Sequence, residues 1–246
     1  MTEQTTEGRP SALSNLDPTQ GFIVSAFGRK GSGKTTFNRR LFRQYPFAKL
    51  CIDVNGEADP GPEVEHPGRY ERGRVTKIHE LEDRMPPPRE WGGPKLYPAL
   101  HYVADPGSVT YREDLDRAIG MGMNPSDAPS MVWAGEVNEF CTESASPPHM
   151  RRLLQQSRHW RVSALFDGPR PKKIDSLIIM QSDLVAIYDL PNPADRMRVA
   201  ETIAFKPADF DEECEETFSR GPYWFLLWDA RAKQLYRYPP LPADGA

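Results

Sequence analysis

The chain has 246 residues, 25 of them proline, with 38% hydrophobic and 27% charged side chains and a net charge of −4. That length suits one large α/β domain with appendages better than two full domains. The acidic balance argues against a nucleic-acid coat over the whole surface, though it leaves room for a local basic channel, and no run approaches the ~18 apolar residues of a membrane span.

Residues 1–19 are rich in Thr, Ser, Glu, Gly and Pro, have little to bury and read as a mobile arm without the apolar stretch of a signal peptide. Gly21 to Phe27 then read as a short buried strand. It runs into Gly28-Arg29-Lys30-Gly31-Ser32-Gly33-Lys34-Thr35, which fits GxxxxGK[ST] at every defined position, and Thr36 follows. Glycines allow φ > 0 and turn backbone N–H groups inward as an anion nest. The lysine reaches the β/γ-phosphates, the hydroxyl of Thr35 suits Mg²⁺, and a helix N-terminus adds the positive end of its dipole. Phe37, Leu41 and Tyr45 follow at four-residue spacing, which places them on one helix face until Pro46.

Lys49 to Val54 form a second strand, closed by Asn55-Gly56. Asp53 at its end reads as a turn or capping residue rather than a catalyst. Residues 58–98 are a Pro/Gly-rich insert with a short strand around Arg74–Ile78. Its basic residues Arg69, Arg72, Arg74 and Lys77 read as solvated loop charges rather than nucleic-acid contacts. A strand at Leu100–Ala104 and an amphipathic helix at Tyr111–Ile119 come next.

Met131-Val132-Trp133-Ala134 is a buried strand followed by Gly135-Glu136. Hydrolysing phosphate-loop proteins use an Asp at such a strand end for the Mg²⁺ shell, and a neighbouring Glu to polarise water. Here Glu136 is present and Gly135 stands before it, with Glu139 nearby. Glu136 either activates water or caps a strand end. His149 to His159 read as a helix whose arginines are either solvated charges or a contribution to a neighbouring subunit's phosphate.

A further strand, Val162–Phe166, leads to a loop at Asp167-Gly168-Pro169-Arg170-Pro171-Lys172-Lys173. Leu184–Leu190 form the last parallel-type strand. Helices start at Asn192-Pro193 and at Pro207, the second ending at Gly221-Pro222 with Cys214 facing the core. Tyr223–Trp228 and Gln234–Tyr238 form a hairpin. Three well-separated cysteines, Cys51, Cys141 and Cys214, make neither a disulfide framework nor a zinc site and point to a reducing cytoplasm.

Alternating strands and helices give an α/β three-layer sandwich with a mainly parallel sheet, of the P-loop NTPase class, carrying a C-terminal β-hairpin. Residues 20–206 would be the core, and 207–246 a helix and hairpin of the same domain. Over residues 20–206 the order of pieces resembles the FtsK–HerA group of DNA-pumping ATPases, particularly compact viral genome-packaging members. The stretch "QQSRHWRVSALFDGPRPKKIDSLIIMQSDLVAIYDL" is the more telling part. The resemblance implies ATP and Mg²⁺ as cofactors, with Gly28 to Thr36 as the phosphate site, Lys34 on the phosphates, Thr35 and Glu136 at the metal, Glu136 as the catalytic Glu and Arg158 near a subunit boundary. It further implies a homo-oligomer, a ring of six, moving double-stranded DNA, with a capsid or portal protein as docking partner, in the host cytoplasm or virion. Gly135 departs from the family's Asp, and Pro169 from a Gln that senses the γ-phosphate. These departures favour a second reading, a nucleotide-binding assembly or regulatory protein with weak hydrolysis.

Overall fold

The apolar runs between the helices pair into one sheet in the computed structural model, which describes residues 6–7, 16–64, 70–90, 93–125, 129–139 and 141–242. The strands are β1 (Thr6–Glu7), β2 (Ile23–Phe27), β3 (Ala48–Asp53), β4 (Thr76–Ile78), β5 (Ala99–Val103), β6 (Ser130–Ala134), β7 (Val162–Gly168), β8 (Leu184–Ile187), β9 (Phe225–Asp229) and β10 (Gln234–Tyr238). Their order across the sheet is β1-β10-β9-β8-β2-β7-β6-β3-β5-β4. From β8 to β4 every pairing is parallel. The C-terminal hairpin β9–β10 continues the sheet antiparallel beside β8.

Side chains alternate across a strand, and a sheet covered on both faces is apolar at both parities. Ile23 and Phe27 of β2 join one buried cluster, whereas Val24 and Ala26 join the other. The second cluster lies under α1 (Lys34–Gln44) alone, through Phe37 and Phe42. The first lies under α2 (Tyr111–Gly122), α3 (Pro148–Trp160), α5 (Pro193–Thr202) and α6 (Pro207–Ser219). A short α4 (Leu177–Met180) precedes β8. This is the expected three-layer sandwich.

Several local readings shift. The buried stripe of α1 is Lys34, Phe37, Asn38 and Phe42, with Leu41 only partly buried. Phe42 packs against Trp133 with ring centroids 5.7 Å apart. Strand β7 extends beyond Phe166 to include Asp167 and Gly168. Strand β8 stops at Ile187 rather than Leu190, because the following residues turn over the glycine loop. There the Tyr188 N–H donates to Phe27 O at 2.7 Å, and the Arg29 N–H to Asp189 O at 2.9 Å.

In the insert, β4 adds a strand to the sheet edge beside β5. Of its basic residues, Arg74 is compensated locally. The Arg74 guanidinium donates to Glu63 O at 2.8 Å and pairs with Glu71 at 3.3 Å. Arg69, Trp91, Gly92 and Phe140 lie outside the described residues, as does the expected arm apart from Thr6–Glu7, whose backbone pairs with Tyr236–Arg237, and residues 16–19. All three cysteines are buried and free. Among the described residues no helix is long and apolar enough to cross a membrane.

Candidate phosphate-loop active site

Parallel strands end together, so the loops after β2, β3, β6, β7 and β8 gather at one sheet edge. Strand β2 delivers the glycine loop there, and α1 begins at Lys34 directly after it. The loop needs glycine for two separate reasons. A side chain at Gly28 would start 2.6 Å from the Tyr188 Cβ, and Gly33 holds φ +111° at the helix start.

Lys34 is buried, and its ammonium donates back to Arg29 O at 3.0 Å. Burial lowers the pKa of this lysine, while the carboxylates of Asp167 and Glu136 oppose the shift. Thr35 and Thr36 occupy the first turn of α1. Among the described residues the buried Ser32 hydroxyl has no hydrogen-bond partner. Arg29 and Lys30 point outward, Arg29 paired with Asp189 at 2.7 Å and Lys30 with Glu57 at 2.9 Å. All the predicted loop residues therefore lie together.

Strand β6 brings Glu136 to the same edge. The residue sits at φ +48°, a left-handed conformation that costs on the order of 1 kcal/mol outside glycine. It is held there by Gly135 N–H on Ile52 O at 3.2 Å and by its own carbonyl accepting from Glu139 N at 2.9 Å. Burial raises the Glu136 carboxyl above its ordinary pKa. Asp167 adds to the rise, Lys34 opposes it, and Glu139 and Lys30 act more weakly. Strain of this kind gathers where geometry matters for function. Glu139 itself is exposed.

Asp53 is the turn residue that its position suggests. Its carboxylate accepts from the N–H groups of Asn55, Glu57 and Ala58 and lies 3.1 Å from His101 Nε2. The Arg-Pro loop is pinned in a similar way. Arg170 pairs with buried Asp195 of α5 at 2.7 Å, and the Lys172 N–H donates to the same carboxylate at 3.0 Å.

The residue that sequence reasoning missed is Asp167. Instead of opening a loop it is the penultimate residue of β7, buried at 4% exposure, with three donors on its carboxylate. Asn38 Nδ2 and Trp133 Nε1 reach Oδ2 at 3.0 and 2.8 Å, and Glu136 N reaches Oδ1 at 3.3 Å. Two signals pointed to it: the alternation Ser163, Leu165, Asp167 on one strand parity, and the need of a buried indole N–H for an acceptor.

Arg158 lies elsewhere. It ends α3 at the opposite edge of the sheet and pairs with buried Asp183 at 2.6 Å. Asp183 also accepts from Ile23 N at 3.0 Å and from Arg231 at 3.2 Å. The length of β2, about 15 Å by strand rise, separates this cluster from the glycine loop. Arg158 does not reach the phosphate site of its own chain.

Beside the glycine loop opens a cavity of about 460 Å³, lined by Arg29 to Ser32 on one side and by Phe218, Tyr223 and Trp224 on the other. Among the described residues no three His, Cys, Asp or Glu side chains cluster closely enough to cage a metal ion. Mg²⁺ does not require one, since it keeps several waters and binds through one or two carboxylates plus substrate phosphates. The donor set here, a helix-start threonine hydroxyl with acidic side chains across from it, fits that pattern.

No known family description and no curated protein matches the chain. Solved structures do. The genome packaging NTPase B204 from Sulfolobus turreted icosahedral virus 2, in complex with AMPPCP, is 16% identical. The match covers 92% of this chain and 100% of that one, at a TM-score of 0.65. B204, the DNA-packaging ATPase from Sulfolobus Turreted Icosahedral Virus, matches over 91% and 100% of the two chains at 16% identity and a TM-score of 0.61. The chain has the α/β P-loop NTPase fold of these proteins.

Proposed function

We propose that this chain is an ATP-hydrolysing motor subunit that moves double-stranded DNA, in the manner of a viral genome-packaging ATPase. The observation that carries the hydrolytic part is the convergence of Lys34 and strained Glu136 on one glycine loop. The whole-length likeness of the fold to B204 supports the packaging part.

In this reading Lys34 and the loop N–H groups bind the triphosphate of ATP. Thr35 and an acidic neighbour would hold Mg²⁺, which would supply charge neutralisation to the phosphates. Glu136 takes the proton from the attacking water, whose oxygen displaces ADP from the γ-phosphorus. The base and ribose occupy the cavity beside Tyr223 and Trp224, so nucleotide addition changes Trp224 fluorescence. The exposed Lys172 and Lys173 lie at the nucleotide edge and are candidate DNA contacts, whereas Arg74 of the insert is committed to Glu63 and Glu71. Assembly into a six-membered ring, docking on a capsid or portal protein, and action in the host cytoplasm or virion belong to the same proposal.

The test is ATP turnover with and without double-stranded DNA, on protein whose mass is measured by light scattering. Turnover stimulated by DNA in an oligomer is the expected result. Intact binding with no turnover under either condition selects instead the nucleotide-binding assembly protein, the reading that Gly135 favours.

A role for Arg158 at a subunit boundary needs a neighbour's nucleotide edge to approach the Asp183 edge of this chain. We expect Arg158→Ala to cost less than about 1 kcal/mol in urea unfolding, because the pair is largely exposed on the arginine side and Arg231 stays on Asp183. Nucleotide affinity of the isolated subunit stays unchanged while turnover of the oligomer falls. Equal turnover in both proteins would remove Arg158 from the mechanism.

A further inference from the structure

We infer that Asp167 of β7, rather than a residue of β6, supplies the carboxylate facing a nucleotide-bound divalent cation, and that Gly135 leaves it the room to do so. The assignment rests on the nucleotide-binding reading above and on four features of the β6–β7 end.

The first is the strand register. Ala134 of β6 pairs with Phe166 of β7, which brings Gly135 opposite Asp167. Strand β7 also pairs with β2, the strand that feeds the glycine loop, so Asp167 stands between Gly135 and that loop. The second is the face. Trp133 and Leu165 both lie in the cluster under α1, so by alternation Gly135 and Asp167 also face the phosphate helix.

The third is the space. A Cβ on Gly135 would lie 3.8 and 3.9 Å from the two Asp167 carboxylate oxygens. An Asp at 135 would set a second carboxylate beside the one already there, two like charges in one buried site. Glycine at 135 and aspartate at 167 thus read as one exchange, the acid moved one strand nearer the loop.

The fourth is the hydrogen bonding. Asn38 Nδ2 and Trp133 Nε1 fix Oδ2, whereas Oδ1 holds a single long bond from Glu136 N. A carboxylate has about four acceptor sites, so Oδ1 keeps capacity to spare. Among the described residues no lysine or arginine lies in ion-pair distance of this buried acid, and Lys34 acts on it only at longer range. Burying an acid without a cation is costly, and a divalent ion beside Lys34 and Thr35 offsets that cost. The competing role is purely structural, Asp167 serving only to anchor Asn38 and Trp133.

Mn²⁺ separates the two roles, measured by electron paramagnetic resonance in the presence of AMPPCP, with AMPPCP affinity in EDTA and thermal unfolding recorded alongside. Asp167→Asn is expected to keep its fold and its EDTA affinity while binding Mn²⁺ about 10–100-fold more weakly. The double variant Gly135→Asp/Asp167→Ala, which returns the acid to β6, recovers most of that loss. Gly135 accepts a side chain in this background, since its backbone is not left-handed and the nearest atom to the added Cβ, Ile52 O at 3.7 Å, is an ordinary contact. Unchanged Mn²⁺ affinity in Asp167→Asn overturns the assignment, as does a parallel loss of AMPPCP binding in EDTA. Should Asp167→Asn fail to fold, the double variant decides, and Mn²⁺ binding far below wild type counts against the assignment. A wild-type chain that binds no AMPPCP removes the nucleotide reading itself and this assignment with it. Intact AMPPCP binding with an indifferent Asp167 removes the assignment alone.

Discussion

Glu136→Gln binds ATP as the wild type does and hydrolyses it about 10²–10⁴-fold more slowly, the range by which a positioned general base accelerates proton transfer. The substitution keeps shape and volume, and the backbone holding residue 136 does not depend on the side chain, since Gly135 N and Glu136 O make the relevant bonds. The proton acceptor and its negative charge are lost together. A pH signature accompanies it. Burial, with Asp167 adding to it, raises the Glu136 carboxyl, and Lys34 opposes the rise. The base works deprotonated, so turnover of the wild type falls as pH drops through this raised value, above the usual range of an exposed carboxylate. In Glu136→Gln that acid limb disappears from the residual rate. Single-turnover hydrolysis across pH checks both statements, and wild-type turnover in the variant would return Glu136 to a strand-end residue.

Lys34→Ala loses nucleotide affinity by about 10²-fold, as expected when a charge-assisted contact worth roughly 1.5–3 kcal/mol is removed. The rest of the cradle cannot replace it. Arg29 and Lys30, the other cations of the loop, point outward onto Asp189 and Glu57. In the substituted protein the carboxylates of Glu136 and Asp167 face incoming phosphates without the cation that now balances them. Titration with a fluorescent ATP analogue reads this loss. Affinity within twofold of wild type would mean that the nucleotide is bound by something other than this loop.

The elements most legible in the sequence were those whose signal is local. The glycine loop declares itself because each position answers a requirement of phosphate contact, and the strands before and after it are short apolar runs between breakers. The hairpin 223–238 and the helix starts at Pro193 and Pro207 were equally plain. Glu136 was legible as a carboxylate closing a buried strand, though its left-handed backbone was not. Asp167 was hidden because Gly168 and Pro169 follow it, and that tripeptide reads as the opening of a loop. Its meaning depends on which strand lies beside β7, a relation that sequence order does not carry. Arg158 failed to show its surroundings for the same reason, since Asp183 and Arg231 meet it only once β8 and β9 are side by side. The acid that Gly135 lacks is absent from one strand and present on the next.

The short path between Asp167 and Arg170 gives the molecule a stiff mechanical strut. Gly168 packs so close to Asn138 that any side chain there would start 2.4 Å from its Oδ1, and Pro169 fixes its own φ. Asn138 Nδ2 also ties down the Arg170 carbonyl at 3.0 Å, and the Arg170 guanidinium grips Asp195 in the first turn of α5. Asp167 at the glycine-loop edge is thereby joined, through three further residues and one ion pair, to a helix on the far face of the sheet.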